Sequence, residues 1–130
     1  MLNIGDYLEI KEKVDENMLA VTMGSGELEV LATPAVVVLM ENAASNLAKK
    51  CLDEGFTTVG TMMNIEHISP TPLCAEVRAK AVLTDTNGRV FKFNVEAYDN
   101  KGLIAEGNHT RVSVNADRFQ KKADEKFNEV

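Results

Sequence analysis

The chain has 130 residues, of which 45% are hydrophobic and 26% charged, and its net charge is −6. This length predicts one domain, residues 1–130, that can bury a sizeable core without a disulfide or a metal. The acidic balance and the absence of a large basic cluster argue against nucleic acid as a partner. No apolar run approaches a membrane span of about 20 residues and no secretory signal opens the chain, so we expect a cytoplasmic protein without a membrane partner.

The two cysteines, Cys51 and Cys74, lie 23 residues apart, with no CxxC pattern and no histidine at ligand spacing. This pattern is typical of two small buried side chains, not of a disulfide or a zinc site. We therefore expect no metal.

The first elements are a strand and a short apolar segment. Residues 7–14 alternate, with Leu8, Ile10 and Val14 on one side, as a half-buried strand does. The apolar segment 18–23 ends in a glycine-rich turn at 24–26, which lacks the surroundings of a phosphate-binding loop.

Residues 34–53 are predicted to form the one long internal helix. Thr33 suits the N-cap, Pro34 suits the first helical position, and Gly55 follows as a stop signal. Helical phase places one polar arc on this segment, and Glu41 falls outside it, among apolar residues. The arc consists of Asn42, Ser45, Asn46, Lys49, Lys50 and Asp53.

From residue 56 onward the periodicity is that of strands. They are predicted at 57–69, 75–85, 89–99 and 103–115, with an Asn87-Gly88 hairpin turn and a bulge at Gly107. If the first of them runs straight, His67 shares a face with apolar residues. The tail, 116–130, is predicted to be a short amphipathic helix or a frayed end. One helix covers only one face of such a sheet, so we expect a homodimer.

Three polar side chains lie in apolar surroundings, namely Thr33, Glu41 and His67. An unpaired buried carboxylate is costly, so Glu41 needs either a structural partner or a chemical role. Thr33 could instead cap the helix, and His67 could be a satisfied histidine closing a strand. Together, a hydroxyl, an imidazole and a carboxylate are the groups of nucleophilic acyl transfer or of general-base attack by water.

Several stretches carry a family resemblance over nearly the whole chain. They are "LATPAVVVLMENAA", "TTVGTMMNIEHISPTPLCAEVRAKAVL", "GRVFKFNVEAYDNKGLIAEGNHTRVSV" and "ADRF". The layout resembles the hotdog-fold thioesterases, specifically the group related to fluoroacetyl-CoA thioesterase. The resemblance implies an α+β hotdog fold, in which an antiparallel sheet wraps a long central helix. It also implies a dimer with active sites at the interface, and leaves a tetramer open.

The implied reaction is hydrolysis of a short or medium acyl-CoA thioester, with coenzyme A as part of the substrate and no other cofactor. In that group the residue matching Thr33 is the nucleophile, the one matching His67 is the general base, and the one matching Glu41 is its acidic partner. Gly60 matches a position whose backbone N–H helps to hold the thioester oxygen. Other hotdog thioesterases activate water with a helix carboxylate, so a direct role for Glu41 stays open.

The remaining candidates concern binding and selectivity. His109 and Arg111 are candidates for substrate contact, and Arg111 and Lys80 for contact with the phosphates of coenzyme A. The first phenylalanine is Phe56, so the phenylalanine gate of the fluoroacetate-specific member has no counterpart before the helix. The alternatives are a hotdog module that binds an acyl-CoA or acyl group without cleaving it and, more remotely, a hydratase.

Overall fold

The computed structural model describes residues 2–128, which form a five-stranded sheet and three α-helices. The strands are Tyr7–Lys13 (β1), Phe56–His67 (β2), Glu76–Thr86 (β3), Val90–Asp99 (β4) and Gly102–Asn115 (β5). The helices are Ala20–Met23 (α1), Thr33–Lys49 (α2) and Ala116–Glu125 (α3). The predicted tail helix is thus present as α3, and residues 129–130 of that prediction lie outside the described part.

The sheet is antiparallel throughout, and its strand order is β1-β3-β4-β5-β2. Alternate residues of β3 and β4 face α2 and are buried, as the sequence predicted. These residues are Val77, Ala79, Ala81, Leu83, Phe91, Phe93, Val95 and Ala97. The predicted arrangement, a long helix against an antiparallel sheet, is therefore confirmed, and β1 and β2 are its edges.

The long helix begins and ends differently from the prediction. Ala32 is its N-cap and Thr33 its first residue, so the capping role expected for Thr33 is wrong. The helix ends at Lys49 because the next amides, from Lys50 to Leu52, bond to carbonyls three residues earlier and tighten the chain into a turn. Thr33 is thereby free to use its side chain elsewhere.

Strand β2 does not run straight. Its register with β5 shifts between Gly60 and Met62, as in a β-bulge. A straight strand, as considered from the sequence, would place Val59 and Thr61 on the same face as His67. Instead, the extra residue changes the phase, and Gly60 shares the helix-facing side with Met63 and His67.

Gly107, the predicted bulge, stays in register with β2 and β4. A Cβ on Gly107 would collide with the backbone of Asn64. Glycine is therefore required there because two strands approach closely, not because of a bulge.

Both cysteines are exposed, so the expected burial of Cys51 and Cys74 is wrong. Cys51 follows the end of α2 at the surface, and Cys74 lies in a turn with φ of 73°. Within residues 2–128, no helix has the length and apolar character needed to cross a membrane, and no cluster of three or more His, Cys, Asp or Glu could hold a metal.

Candidate active site

Thr33 and His67 meet at the start of α2. The Thr33 Oγ1 atom lies 2.8 Å from His67 Nδ1, within hydrogen-bond distance. Thr33 is brought there by the first turn of α2, and His67 is the last residue of β2. We call these two residues the Thr33 pair. The structure thus brings these two of the predicted site residues together.

The other ring nitrogen of His67 has no partner within the described part of the chain. His67 Nε2 is buried and makes no hydrogen bond among the described residues. Burial lowers the pKa of His67 below its ordinary value of 6.5, so the ring is neutral near pH 7. A neutral imidazole that contacts a hydroxyl through Nδ1 can accept the hydroxyl proton, and its Nε2–H then needs an acceptor.

A small cavity of about 290 Å³ opens beside the Thr33 pair. Its walls come mainly from the segment before α2 and from the turn after β2. They include Ala20, Val30, Leu31, Ala32, Ile68 and Pro70. The volume is at the lower limit for small-molecule sites, and apolar walls alternate with the polar side chains of Ser25, Thr33, His67 and Ser69, so a small group with an apolar part suits it.

Glu41 lies in a second cluster, with Arg111. Glu41 Oε2 is 3.5 Å from Arg111 Nη1, and the Arg111 side chain is only 9% exposed while that of Glu41 is 40% exposed. Glu41 thus has a structural partner, one of the two alternatives that the sequence left open, and this partner is an arginine. The half-exposed carboxylate keeps lone pairs available for another group.

Arg111 is fixed by three further contacts. Its Nε donates to Thr58 Oγ1 at 2.8 Å and its Nη2 to the Thr58 carbonyl at 3.0 Å. Its Nη1 lies 3.2 Å from His109 Nε2, while His109 Nδ1 lies 2.8 Å from the Met62 carbonyl oxygen. The guanidinium is therefore held in one orientation.

His109 is 1% exposed and uses both ring nitrogens within the protein. Since Arg111 can only donate and a carbonyl can only accept, His109 is neutral with its proton on Nδ1. Burial also lowers the pKa of His109 from 6.5. The geometry favours a holding role for His109 over the predicted contact with substrate.

Gly60 lies directly against this second cluster. A Cβ on Gly60 would lie 2.8 Å from Glu41 Oε2, 3.2 Å from His109 Cε1 and 3.4 Å from Arg111 Nη1. A side chain at this position would therefore displace the carboxylate. We call these four residues, Glu41, Gly60, His109 and Arg111, the Glu41 cluster.

The structure separates the two groups within one chain. Thr33 and Glu41 are eight residues apart on α2, a rise of about 12 Å. Gly60 and His67 are seven residues apart on β2, about 20 Å along the strand. Of the predicted Thr33, His67 and Glu41 constellation, a single protomer thus joins the first two and holds the third at a distance.

Thr58 was missed by the sequence interpretation. It is buried and holds Arg111 through two hydrogen bonds. Thr58 lies two residues before Gly60, and a polar residue at that spacing in a strand shares its face, which is the signal that could have identified it.

Known proteins resemble this chain in sequence and in structure. The family model of fluoroacetyl-CoA-specific thioesterases matches residues 14–117. The fluoroacetyl-CoA thioesterase of Streptantibioticus cattleyicolor is 32% identical over 98 residues, which are 75% of this chain and 70% of that protein. A solved structure of the fluoroacetyl-CoA thioesterase FlK has a TM-score of 0.91 and 26% identity, and covers 97% of this chain and 98% of that one.

A Thermus thermophilus member of the thioesterase superfamily shares the fold at 24% identity, with a TM-score of 0.86 over 94% of this chain and 90% of that one. These likenesses confirm the hotdog fold predicted from the sequence.

Proposed function

Since the chain belongs to the family of fluoroacetyl-CoA-specific thioesterases, we propose that this thioester hydrolase cleaves a short acyl-CoA to the free acid and coenzyme A. The observation that carries the proposal is the 2.8 Å contact between Thr33 Oγ1 and His67 Nδ1. The adjoining cavity of about 290 Å³ supports a short acyl group. Coenzyme A enters as part of the substrate, and the reaction needs no other cofactor.

Thr33 is the nucleophile in this proposal. Its Oγ1 attacks the thioester carbonyl carbon while His67 Nδ1 takes the hydroxyl proton. The C–S bond then breaks, and the departing thiolate of coenzyme A receives that proton. Water next attacks the acyl ester on Thr33, gives a proton to His67, and releases the acid as the Thr33 oxygen recovers a proton. The N-terminus of α2 lies beside Thr33 and favours negative charge on the carbonyl oxygen.

The acidic partner of His67 comes, we infer, from a second copy of the chain. β2 is an edge strand, and an exposed edge is a template for pairing with another strand. An antiparallel pairing of two β2 strands about an axis between Met63 and Asn64 would place His67 opposite the partner subunit's Gly60. The partner's Glu41 would then lie close to His67. The same pairing brings in the Gly60 backbone N–H as a candidate donor to the carbonyl oxygen.

Exposed apolar surface supports a homodimer of this kind. Val38 lies one turn before Glu41 and is 57% exposed, and Met62 in β2 is 44% exposed. His67 Nε2 is buried in the single chain, so the pairing must also make it accessible to the partner's carboxylate. The carboxylate would accept from Nε2–H and stabilise the imidazolium that forms when Thr33 loses its proton.

A panel of acyl-CoA thioesters from acetyl to octanoyl, with thiol release as the readout, tests the function. We expect turnover highest for the short acyl groups. Thr33→Ala and His67→Ala should each abolish it, while Thr57→Ala, which alters an exposed threonine of β2, should not. Mass spectrometry of quenched reactions should find the acyl group on Thr33.

Other results would favour other mechanisms. Full activity in His67→Ala would refute the assigned base. Activity retained in Thr33→Ala but lost in Glu41→Gln would favour direct activation of water. Saturable binding of acyl-CoA with no hydrolysis over hours would favour a binding module.

A further inference from the structure

A second concave surface lies at the far end of the sheet, away from the Thr33 pair. It is a groove of about 610 Å³ between the C-terminal end of α2, the start of β2, the β3–β4 turn and α3. Its volume is within the range of ligand-binding clefts. The Thr33 pair does not line this groove, so the reaction steps derived above do not account for it.

Three cations line the groove, although the chain has a net charge of −6. Arg89 follows the Asn87-Gly88 turn, and Arg118 and Lys122 lie one turn apart on α3. Within residues 2–128, none of the three forms an ion pair, and Asp53 is the one carboxylate in the lining. The groove is thus a local positive site that would attract an anion.

Two aromatic rings lie in the same groove. Phe56 and Phe119 line it, and each is 46% exposed. An exposed aromatic face can stack on a nucleobase. Cations together with exposed aromatic rings are the chemistry that recognises a nucleotide carrying phosphates.

The groove and the Glu41 cluster lie along the same strand, β2. Phe56 pairs with Asn115, Thr58 with Ser113 and Gly60 with Arg111, and alternate residues of a strand share a face. Gly60 and Phe56 are four residues apart, which is about 13 Å along β2. Thr58, which lies between them on that face, is buried, so a long, thin substrate that reaches both would pass along the exposed edge of β2.

We propose that the groove between α3 and the start of β2 binds the adenosine 3′-phosphate 5′-diphosphate end of coenzyme A. Arg89, Arg118 and Lys122 contact the phosphates, and Phe56 and Phe119 flank the adenine. The assignment rests on the proposed function for the choice of nucleotide. The pantetheine arm then spans the distance to the thioester at the shared site.

This assignment replaces the two phosphate contacts expected from the sequence. Arg111 is buried and already bonded to Thr58 and Glu41. Lys80 lies on the opposite face of the sheet, where its Nζ is 4.5 Å from the centre of the Tyr7 ring. Neither side chain is free to meet a phosphate beside the site.

Charge-reversal substitutions at Lys122 and Arg89, with the neighbouring Lys121 as control, test whether the groove binds the nucleotide. Lys122→Glu should raise the KM for acyl-CoA by about fivefold with little change in kcat, because an attractive contact becomes repulsive. Arg89→Glu, on a different element, should do the same. Lys121→Glu is the matched control, since Lys121 lies on the same helix outside the groove and faces Glu125. Acyl-pantetheine, which lacks the nucleotide, should be cleaved equally by all four proteins.

Calorimetry with adenosine 3′,5′-bisphosphate separates this proposal from hydrolysis. We expect the wild-type protein to bind it, and Lys122→Glu and Arg89→Glu to bind it more weakly than Lys121→Glu. Equal binding by all variants, or no binding by the wild type, would overturn the groove assignment even if acyl-CoA is cleaved. Groove-dependent binding in a protein that cleaves no thioester would leave the groove assignment standing and refute the proposed reaction.

Discussion

Two inactive variants should recover activity when mixed, if the site is shared between protomers as proposed. Thr33→Ala removes the nucleophile from one side of the site, and Glu41→Gln removes the carboxylate charge from the other. Each variant alone has both of its sites damaged. We call the sites crossed if each one combines Thr33 of one protomer with Glu41 of the other. In a mixed dimer with crossed sites, one site contains both substitutions and the other contains neither.

The size of the recovery follows from this geometry. After random exchange of equal amounts, about half of the dimers are mixed, and each has one intact site of two, so activity reaches about a quarter of the wild-type value. A site built within one chain would give no recovery, since every protomer would carry a defect. The separation of about 12 Å along α2 between the two positions favours the first outcome.

The assay is thiol release after the two variants are incubated together long enough to exchange protomers, which differently tagged copies can monitor. The control mixes wild-type protein with the Thr33→Ala, Glu41→Gln double variant. Crossed sites require the activity of that mixture to fall to half its starting value, because each mixed dimer is inactive. No recovery in the first mixture and no loss in the second, with exchange demonstrated, would refute the shared site.

Gly60→Ala should lower kcat/KM by about tenfold or more and lower Tm only modestly, because the new Cβ displaces the flexible end of Glu41 and also crowds the buried His109 ring, but meets no backbone; kinetics beside thermal melting checks it, and unchanged kinetics would contradict it. His109→Phe should cost about 1–3 kcal/mol of unfolding free energy in urea titrations, since a buried carbonyl and Arg111 each lose a partner; an equally stable variant would argue against the holding role. The kcat/KM should rise with pH to a plateau, because only the neutral ring of His67 accepts a proton; burial lowers the pKa of His67, and the proposed contact with the partner's Glu41 carboxylate raises it. A pH–rate profile without such a rise would refute the assigned base. The free energy of unfolding should also fall as pH drops below 6.5, because the unfolded chain then binds a proton that the buried ring of His109 resists; denaturant titrations at several pH values measure it.

Local sequence patterns were sufficient to predict burial where the environment of a residue depends only on its position along its own strand. The alternation in β3 and β4 predicted the buried faces because every second residue of these inner strands meets α2. The Asn87-Gly88 turn was also predicted, and Gly88 has the positive φ, 90°, that such turns require.

The sequence patterns failed where the environment of a residue depends on a segment far away in the chain. The bulge after Gly60 depends on the register with β5, and the alternation of residues in the sequence of β2 does not indicate it. The partner of Glu41 is an arginine far along the chain, so no local spacing could identify it. Thr33 looked like a cap because its sequence neighbours suit one, but His67 binds its hydroxyl instead.

The bulge in β2 makes the strand sensitive to length as well as to composition. With Thr61 as the extra residue, an odd sequence separation places Gly60 and His67 on the same side of the sheet. A chain lacking one residue here could keep its hydrogen-bonded ladder and still turn one of the two residues away from α2. Single-residue insertions and deletions between Gly60 and His67 would therefore uncouple folding from catalysis, whereas substitutions at its exposed positions Asn64 and Glu66 would leave the phase of the strand unchanged.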